Sequence, residues 1–244
     1  MAKENNPDYY ESYFQYLNPH FSLEWYKAHM VNDFPEILTA DKNAKVLDLG
    51  CGTGQLLKVL EDMEYKNLSG IEYDKGQYEE AKKLVSSATI MQGDIFQHLE
   101  KMTEKFDMVF MVDVIEHIEK NEIVTLLRLI KKVLAPGGKL FMRTPNADFP
   151  LTAPRFRYID ITHTTIFTQE SMATLLRLSG IKEFTFRPSY IPRSGAKKIL
   201  FEIIRKLGDF FLRLYLYVYI HEAAKRIILS PNFNIIAVND ESDQ

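Results

Sequence analysis

The residues best suited to chemistry begin at Val46-Leu47-Asp48-Leu49-Gly50-Cys51-Gly52-Thr53-Gly54-Gln55. An apolar run ends in an acidic residue and then in three glycines at alternate positions. That order predicts a buried strand feeding a tight turn whose backbone approaches a ligand closely, because glycine has no Cβ to hold the ligand off and tolerates positive φ. Leu56, Leu57, Leu60 and Met63 follow at helical spacing, so helix N-terminal amides point into the same space. Further along, Met111-Val112-Asp113-Val114-Ile115-Glu116-His117-Ile118 closes another apolar run with two acids and a histidine. Arg157-Tyr158-Ile159-Asp160-Ile161-Thr162-His163 supplies a second histidine beside charged residues. Histidine has the unperturbed pKa, about 6.5, suited to taking a proton from a hydroxyl near neutral pH. His117 and His163 are therefore the candidate bases, and Asp160, Arg157 and Glu116 are candidates to orient them or to bind a substrate. The sequence leaves open which histidine serves. His20, His29, His98 and His221 have no comparable setting.

These groups come together only if strand ends meet. From Lys45 to about Arg187, short apolar runs alternate with amphipathic segments, the pattern of a doubly wound α/β fold with a parallel sheet. Strands are expected at Lys45–Leu49, Asn67–Glu72, Thr89–Gln92, Phe106–Val112, Lys139–Arg143, Lys182–Arg187 and, after Pro231, Asn232–Val238. Pro136-Gly137-Gly138 reads as a sharp turn that stops a helix over Glu122–Leu134. Thr168 reads as an N-cap, and Gly180 as the left-handed residue past that helix's end. In open α/β sheets ligands sit outside the C-terminal strand ends. Glu72, closing the second strand, can there accept hydrogen bonds from two ribose hydroxyls. In Gly93-Asp94-Ile95, after the third, Asp94 can accept from an adenine amino group while Ile95 covers a ring face.

The glycine spacing narrows the ligand. The dinucleotide fingerprint G-x-G-x-x-G needs glycine at position 55, where Gln55 stands. With Glu72, Gly93-Asp94, "DVIEHI" and "LAPGGKL", residues 45–145 resemble the class I S-adenosylmethionine-dependent methyltransferases that act on small molecules. The resemblance implies that Gly50, Cys51, Gly52 and Gly54 wall the methionine part of the cofactor and that Asp48 orients its ammonium group. It gives the ribose to Glu72, the adenine to Asp94 and Ile95, and a backbone carbonyl near the amino-acid end to Val112. It also implies a seven-stranded, mostly parallel sheet whose antiparallel last strand, Asn232–Val238, lies beside the fifth. A narrower resemblance runs from Arg157 to Thr168, which is similar to the "RYGD-THE-FT" segment of O-methyltransferases encoded with surface-polysaccharide pathways. Ile159 replaces the usual glycine here, and Thr164 the glutamate after histidine. Ubiquinone-pathway O-methyltransferases share the "EH" after the fourth strand.

Two additions flank that domain. Residues 1–44 form an expected N-terminal helical cap, rich in aromatic residues, with Tyr10 or a neighbour reaching the substrate. Residues 45–244 form the methyltransferase domain, with a helical insertion at 196–229. The insertion admits packing on the domain, a homodimer contact, an acceptor-pocket wall or a membrane-surface helix, the first two being favoured.

Composition bounds the rest. The 244 residues are 46% hydrophobic and carry a net charge of -3 with no basic tract, which argues against an extended nucleic-acid surface. No apolar stretch reaches the ~20 residues needed to span a bilayer, the N-terminus is polar, and the single Cys51 fits a reducing compartment, so a cytoplasmic location is expected. Asp113, Glu116 and His117 on one loop do not by themselves converge as metal ligands, so no metal is expected. The expected partner is a small or carrier-linked acceptor, with a sugar or polysaccharide precursor first. The alternatives are a ubiquinone-pathway-like O-methyltransferase, an NAD-dependent oxidoreductase, and a non-catalytic S-adenosylmethionine-binding subunit.

Overall fold

The computed structural model describes residues 22–191 and 197–240. Tyr10 and its aromatic neighbours therefore lie outside the described residues. In chain order, helices α1 (Leu23–Asp33) and α2 (Glu36–Thr39) precede β1 (Lys45–Leu49), α3 (Gln55–Asp62), β2 (Asn67–Glu72), α4 (Lys75–Leu84), β3 (Ala88–Gln92), α5 (Ile95–Lys101) and β4 (Phe106–Val112). A single 3-10 turn at Ile115–His117 leads to α6 (Ile123–Val133), β5 (Leu134–Pro145), α7 (Ala153–Tyr158), α8 (Gln169–Leu178) and β6 (Glu183–Ser189). The chain ends with α9 (Lys197–Ile220), α10 (Ala223–Arg226) and β7 (Asn232–Val238).

The strands form one sheet in the order β3-β2-β1-β4-β5-β7-β6. β1 pairs in parallel with both β2 and β4, so the strand order reverses between β1 and β4 and opens a crevice at their C-terminal ends. β7 enters antiparallel between β5 and β6, as expected. Alternation along β4 fills two cores: Val109 and Met111 face α6 and α8, while Met108 and Phe110 face α1 and α3. On α6, Ile123, Leu126, Leu127, Ile130 and Val133 recur at three and four residues and are buried.

One boundary differs for a backbone reason. β5 begins at Leu134, not Lys139, because Pro136-Gly137-Gly138 loops out of a continuing strand: Phe106 pairs with Leu134, and Met108 already with Lys139. The expected turn is a bulge, in which Gly137 takes φ +72° and donates to Asn239 O. Thr168 caps α8 as expected, through a reciprocal pair of hydrogen bonds with Ser171, and Gly180 follows with φ +86°.

Candidate active site

The glycine turn closes β1 at the crevice. Gly50, Gly52 and Gly54 have φ of +68°, +55° and +80°, so every second residue from Gly50 is left-handed. A Cβ on Gly50 would stand 2.7 Å from Val114 Cγ2, which shows how closely the turn abuts the loop after β4. A Cβ on Gly52 would meet only Gln77 Oε1, at 3.2 Å, and otherwise open space. Gly52 N donates to Glu72 Oε2 and Asp74 N to Glu72 Oε1, both at 2.8 Å, so the Glu72 carboxylate is aimed by the turn it serves. Asp48 is buried behind the turn, and burial together with the Glu72 charge pushes its carboxyl up to about 8. Burial likewise pushes the Cys51 thiol up, so it packs as a small hydrophobe without redox character. Asp94 caps α5, its Oδ1 accepting from Phe96 N at 2.8 Å and Gln97 N at 3.1 Å, which leaves Oδ2 for a ligand's amino group. Ile95 turns into the core with 8% exposed. Val112 ends β4 in register with Arg143.

These groups suit S-adenosylmethionine, which bears a positive sulfonium, an ammonium, a ribose and an adenine. Burial disfavours the charged form of both Asp48 and Glu72, so a cationic ligand is favoured beside them, and the left-handed glycines leave space next to the turn.

His117 and His163 come from segments far apart in sequence, and their rings meet edge to face with centroids 4.8 Å apart. Thr164 sews the segments together: its N donates to Glu116 O at 2.9 Å and its Oγ1 donates to Ile118 O at 2.6 Å, with Glu116 O 3.2 Å away. The tautomers follow from the partners. Thr162 Oγ1 gives its one proton to Asp160 Oδ1 at 2.7 Å, so it accepts at 2.7 Å from His117 Nδ1–H. His163 Nδ1 faces Phe156 O, which can only accept, so that nitrogen also carries the proton. Nε2 is left on both rings as an acceptor. Burial, reinforced by His163, brings His117 down to about 4 and keeps it neutral. Arg157 donates to His163 O and so braces this loop. Asp160, also read as a substrate ligand, is buried and orients His117 through Thr162.

Glu116, His117 and His163 each offer a ligand atom, all within 4.8 Å of one another. The third ligand atom comes from His163, not from Asp113 on the same loop as the other two. Asp113 is instead engaged by Arg143 through two hydrogen bonds, one of them Nε to Oδ1 at 3.0 Å, while Glu116 Oε2 accepts from Thr144 Oγ1 at 3.1 Å. Burial and the Asp113 charge raise the Glu116 carboxyl well above the usual range.

Sequence reading missed the clasp beneath this site. Buried Arg143, near the end of β5, donates to Asp33 Oδ2 at 3.2 Å and faces His29 Nε2 at 3.5 Å, both on α1. His29 thus has a setting after all, one of structural support. Asp33 Oδ2 also accepts from Ser189 Oγ at 2.9 Å. Only the i, i+4 spacing of His29 and Asp33 could have hinted at this.

A family sequence model described as a methyltransferase domain matches residues 23–182. The chain is 33% identical over 120 residues to the mitochondrial ubiquinone biosynthesis O-methyltransferase of Candida albicans, a match covering 47% of this chain and 36% of that protein. It is 28% identical over 155 residues to the mitochondrial protein of the same description in Saccharomyces cerevisiae, covering 61% and 49%. The chain thus spans less than half the length of these relatives. Among solved structures, a SAM-dependent methyltransferase from Archaeoglobus fulgidus matches with a TM-score of 0.67 and 19% identity, over 95% of this chain and 100% of that one. The plantazolicin methyltransferase BamL, solved with a substrate analogue and SAH, matches with a TM-score of 0.63 and 16% identity, over 96% and 90%. At those identities the likeness is one of fold.

Proposed function

We propose a reaction from one premise: the chain belongs to the methyltransferase-domain family and has the class I fold of S-adenosylmethionine-dependent methyltransferases. That premise sets aside the nicotinamide alternative. The reaction is methyl transfer to an oxygen of a small or carrier-linked acceptor. The observation that carries it is the pair of imidazoles with Nε2 left as acceptor, one of which, His117, follows Val114 on the loop that abuts the glycine turn.

Gly50, Cys51, Gly52 and Gly54 hold the cofactor's methionine end, with Asp48 on the ammonium and the Val112 carbonyl nearby; Glu72 holds the ribose and Asp94 the adenine. When bound, the cofactor supplies a methyl group already activated on sulfonium, so the chain's share is alignment and removal of the acceptor proton. His163 Nε2 takes that proton, while Nδ1–H stays on Phe156 O and fixes the ring. His117, held neutral down to about 4, is too weak a base for the task and accepts a hydrogen bond that orients the acceptor.

The likeness of Arg157–Thr168 to polysaccharide-pathway enzymes supports a sugar hydroxyl or a nucleotide- or carrier-linked sugar precursor. The names of the curated relatives support a ubiquinone-pathway-like acceptor as the alternative. Calorimetry with S-adenosylhomocysteine, followed by turnover on a panel of sugar nucleotides and phenols, separates them. His163→Ala lowers kcat by about 10²–10⁴-fold, and His117→Ala acts mainly on KM. Full turnover in both variants overturns the base assignment, and tight cofactor binding without turnover on any acceptor favours the non-catalytic subunit.

A second reading has its own observation. With Nδ1 of both histidines occupied, Nε2 and the Glu116 carboxylate could share a divalent cation in place of the proton. Turnover that is lost in a chelator and restored by magnesium or zinc selects it.

A further inference from the structure

The long helix α9 presents its faces in reverse. The side chains least exposed along it are Glu202, Arg205, Asp209, Leu212, Arg213 and Leu216, most of them charged. Arg205 bridges Glu202 at 2.6 Å and Asp209 at 2.9 Å and lies 4.2 Å over the Tyr190 ring. Arg213 donates to Ala224 O at 2.7 Å and Ile227 O at 3.0 Å, fastening α9 to α10. The root of the insertion is fixed in turn, because Asn146 Nδ2 donates to Ile228 O and Ser230 O at 2.7 and 2.9 Å.

The opposite face looks outward and is apolar. Leu200, Ile203, Leu207, Phe211, Leu214 and Val218 are each 51–68% exposed. At about 100° per residue these six, with Ile204 and Phe210 beside them, sweep an arc of about 120° free of charge. Monomers seldom expose a contiguous apolar patch larger than a few hundred Å² without a use for it. The arc is also wider than a coiled-coil seam. No helix among the described residues is long and apolar enough to cross a membrane.

Charge chooses among the occupants. Residues 197–226 hold Lys197, Lys198, Arg205, Lys206, Arg213, Lys225 and Arg226 against Glu202, Asp209 and Glu222, a net +4 in a chain of net -3, which leaves -7 on the rest. A two-fold dimer through α9 would set two copies of this positive segment against each other. An anionic bilayer surface attracts the segment and repels the remainder, so charge orients the protein with α9 against the lipid. Tyr215, Tyr217 and Tyr219 add the amphipathic rings that favour headgroup depth.

We propose that α9 is a membrane-surface helix whose outward face, Leu200 to Val218, beds into the headgroup region of an anionic leaflet. Arg205 and Arg213 meanwhile hold the helix to the domain. This does not depend on which acceptor is methylated.

The test is flotation of the full chain with vesicles of phosphatidylcholine mixed with phosphatidylglycerol, compared with pure phosphatidylcholine. The intact protein floats with the anionic vesicles and is released by high salt. The double variant Leu207→Glu, Phe211→Glu loses more than about tenfold of that binding, since two apolar side chains that would enter the lipid become carboxylates repelled by the anionic headgroups. Its affinity for S-adenosylhomocysteine stays unchanged, which shows that the domain is folded. Failure to float with anionic vesicles, equal flotation of the double variant, or a dimer in sedimentation that the double variant breaks would each overturn the proposal.

Discussion

Asp48 carries a carboxyl that the fold holds against ionisation. Burial, and then the Glu72 charge, raises it to about 8, above its unfolded value of about 3.9. Its stabilising contribution therefore belongs to the protonated form: it is whole below about pH 4 and is lost as pH rises to 8. Urea denaturation should show the native protein losing more stability between pH 5 and pH 8.5 than Asp48→Asn, which cannot ionise; parallel curves would refute this. The position itself was legible, because an acid at the end of an apolar run before alternating glycines is conspicuous. Its protonation was not, since that depends on Glu72 arriving from another strand. The histidines divide similarly. His117 and His163 stood out by type and neighbours, but their tautomers come from Thr162 and from the Phe156 carbonyl, which no local pattern marks.

Helix α1 shows what an element's sequence can hide. Its polar and aromatic residues read as part of a cap, yet Met30 and, just past its end, Phe34 are core residues, with Phe34 edge-on to Phe110 and Phe141 at 5.9 and 5.6 Å between centroids. On its other edge, His29 and Asp33 meet Arg143. Replacing Arg143 by Met leaves the fully buried Asp33 carboxylate without its cation. The expected cost is about 3–5 kcal/mol in a urea titration. Phe34→Ala should cost about the same through its cavity, whereas a helix docked only as a loose lid would lose almost nothing. The bulge in β5 belongs to this scale too. Proline and two glycines do mark a break, but whether the chain turns or loops out of a continuing strand is settled by Phe106 and Met108 on the partner strand.

In the molecule as a whole, the sheet opens a crevice between β1 and β4, and α9 leaves an apolar face exposed to solvent. Because the α9 side chains at Leu207 and Phe211 touch solvent, the Leu207→Glu, Phe211→Glu variant should melt with a stability change within about 0.5 kcal/mol, the range for exposed sites. A large loss in calorimetry would mean that the face packs on the domain.

The strand and helix alternation, the glycine turn and the two histidines were legible in the chain alone, because these rest on local period, on backbone freedom and on side-chain type. Packing across the fold was needed to establish that Asp160 orients His117 through Thr162, that Arg143 locks α1 to the sheet, and that α9 turns its charges inward. Those outcomes depend on groups contributed by distant segments. A helix's apolar arc is legible in its sequence, but the direction in which it faces is fixed by what the rest of the chain offers the opposite side.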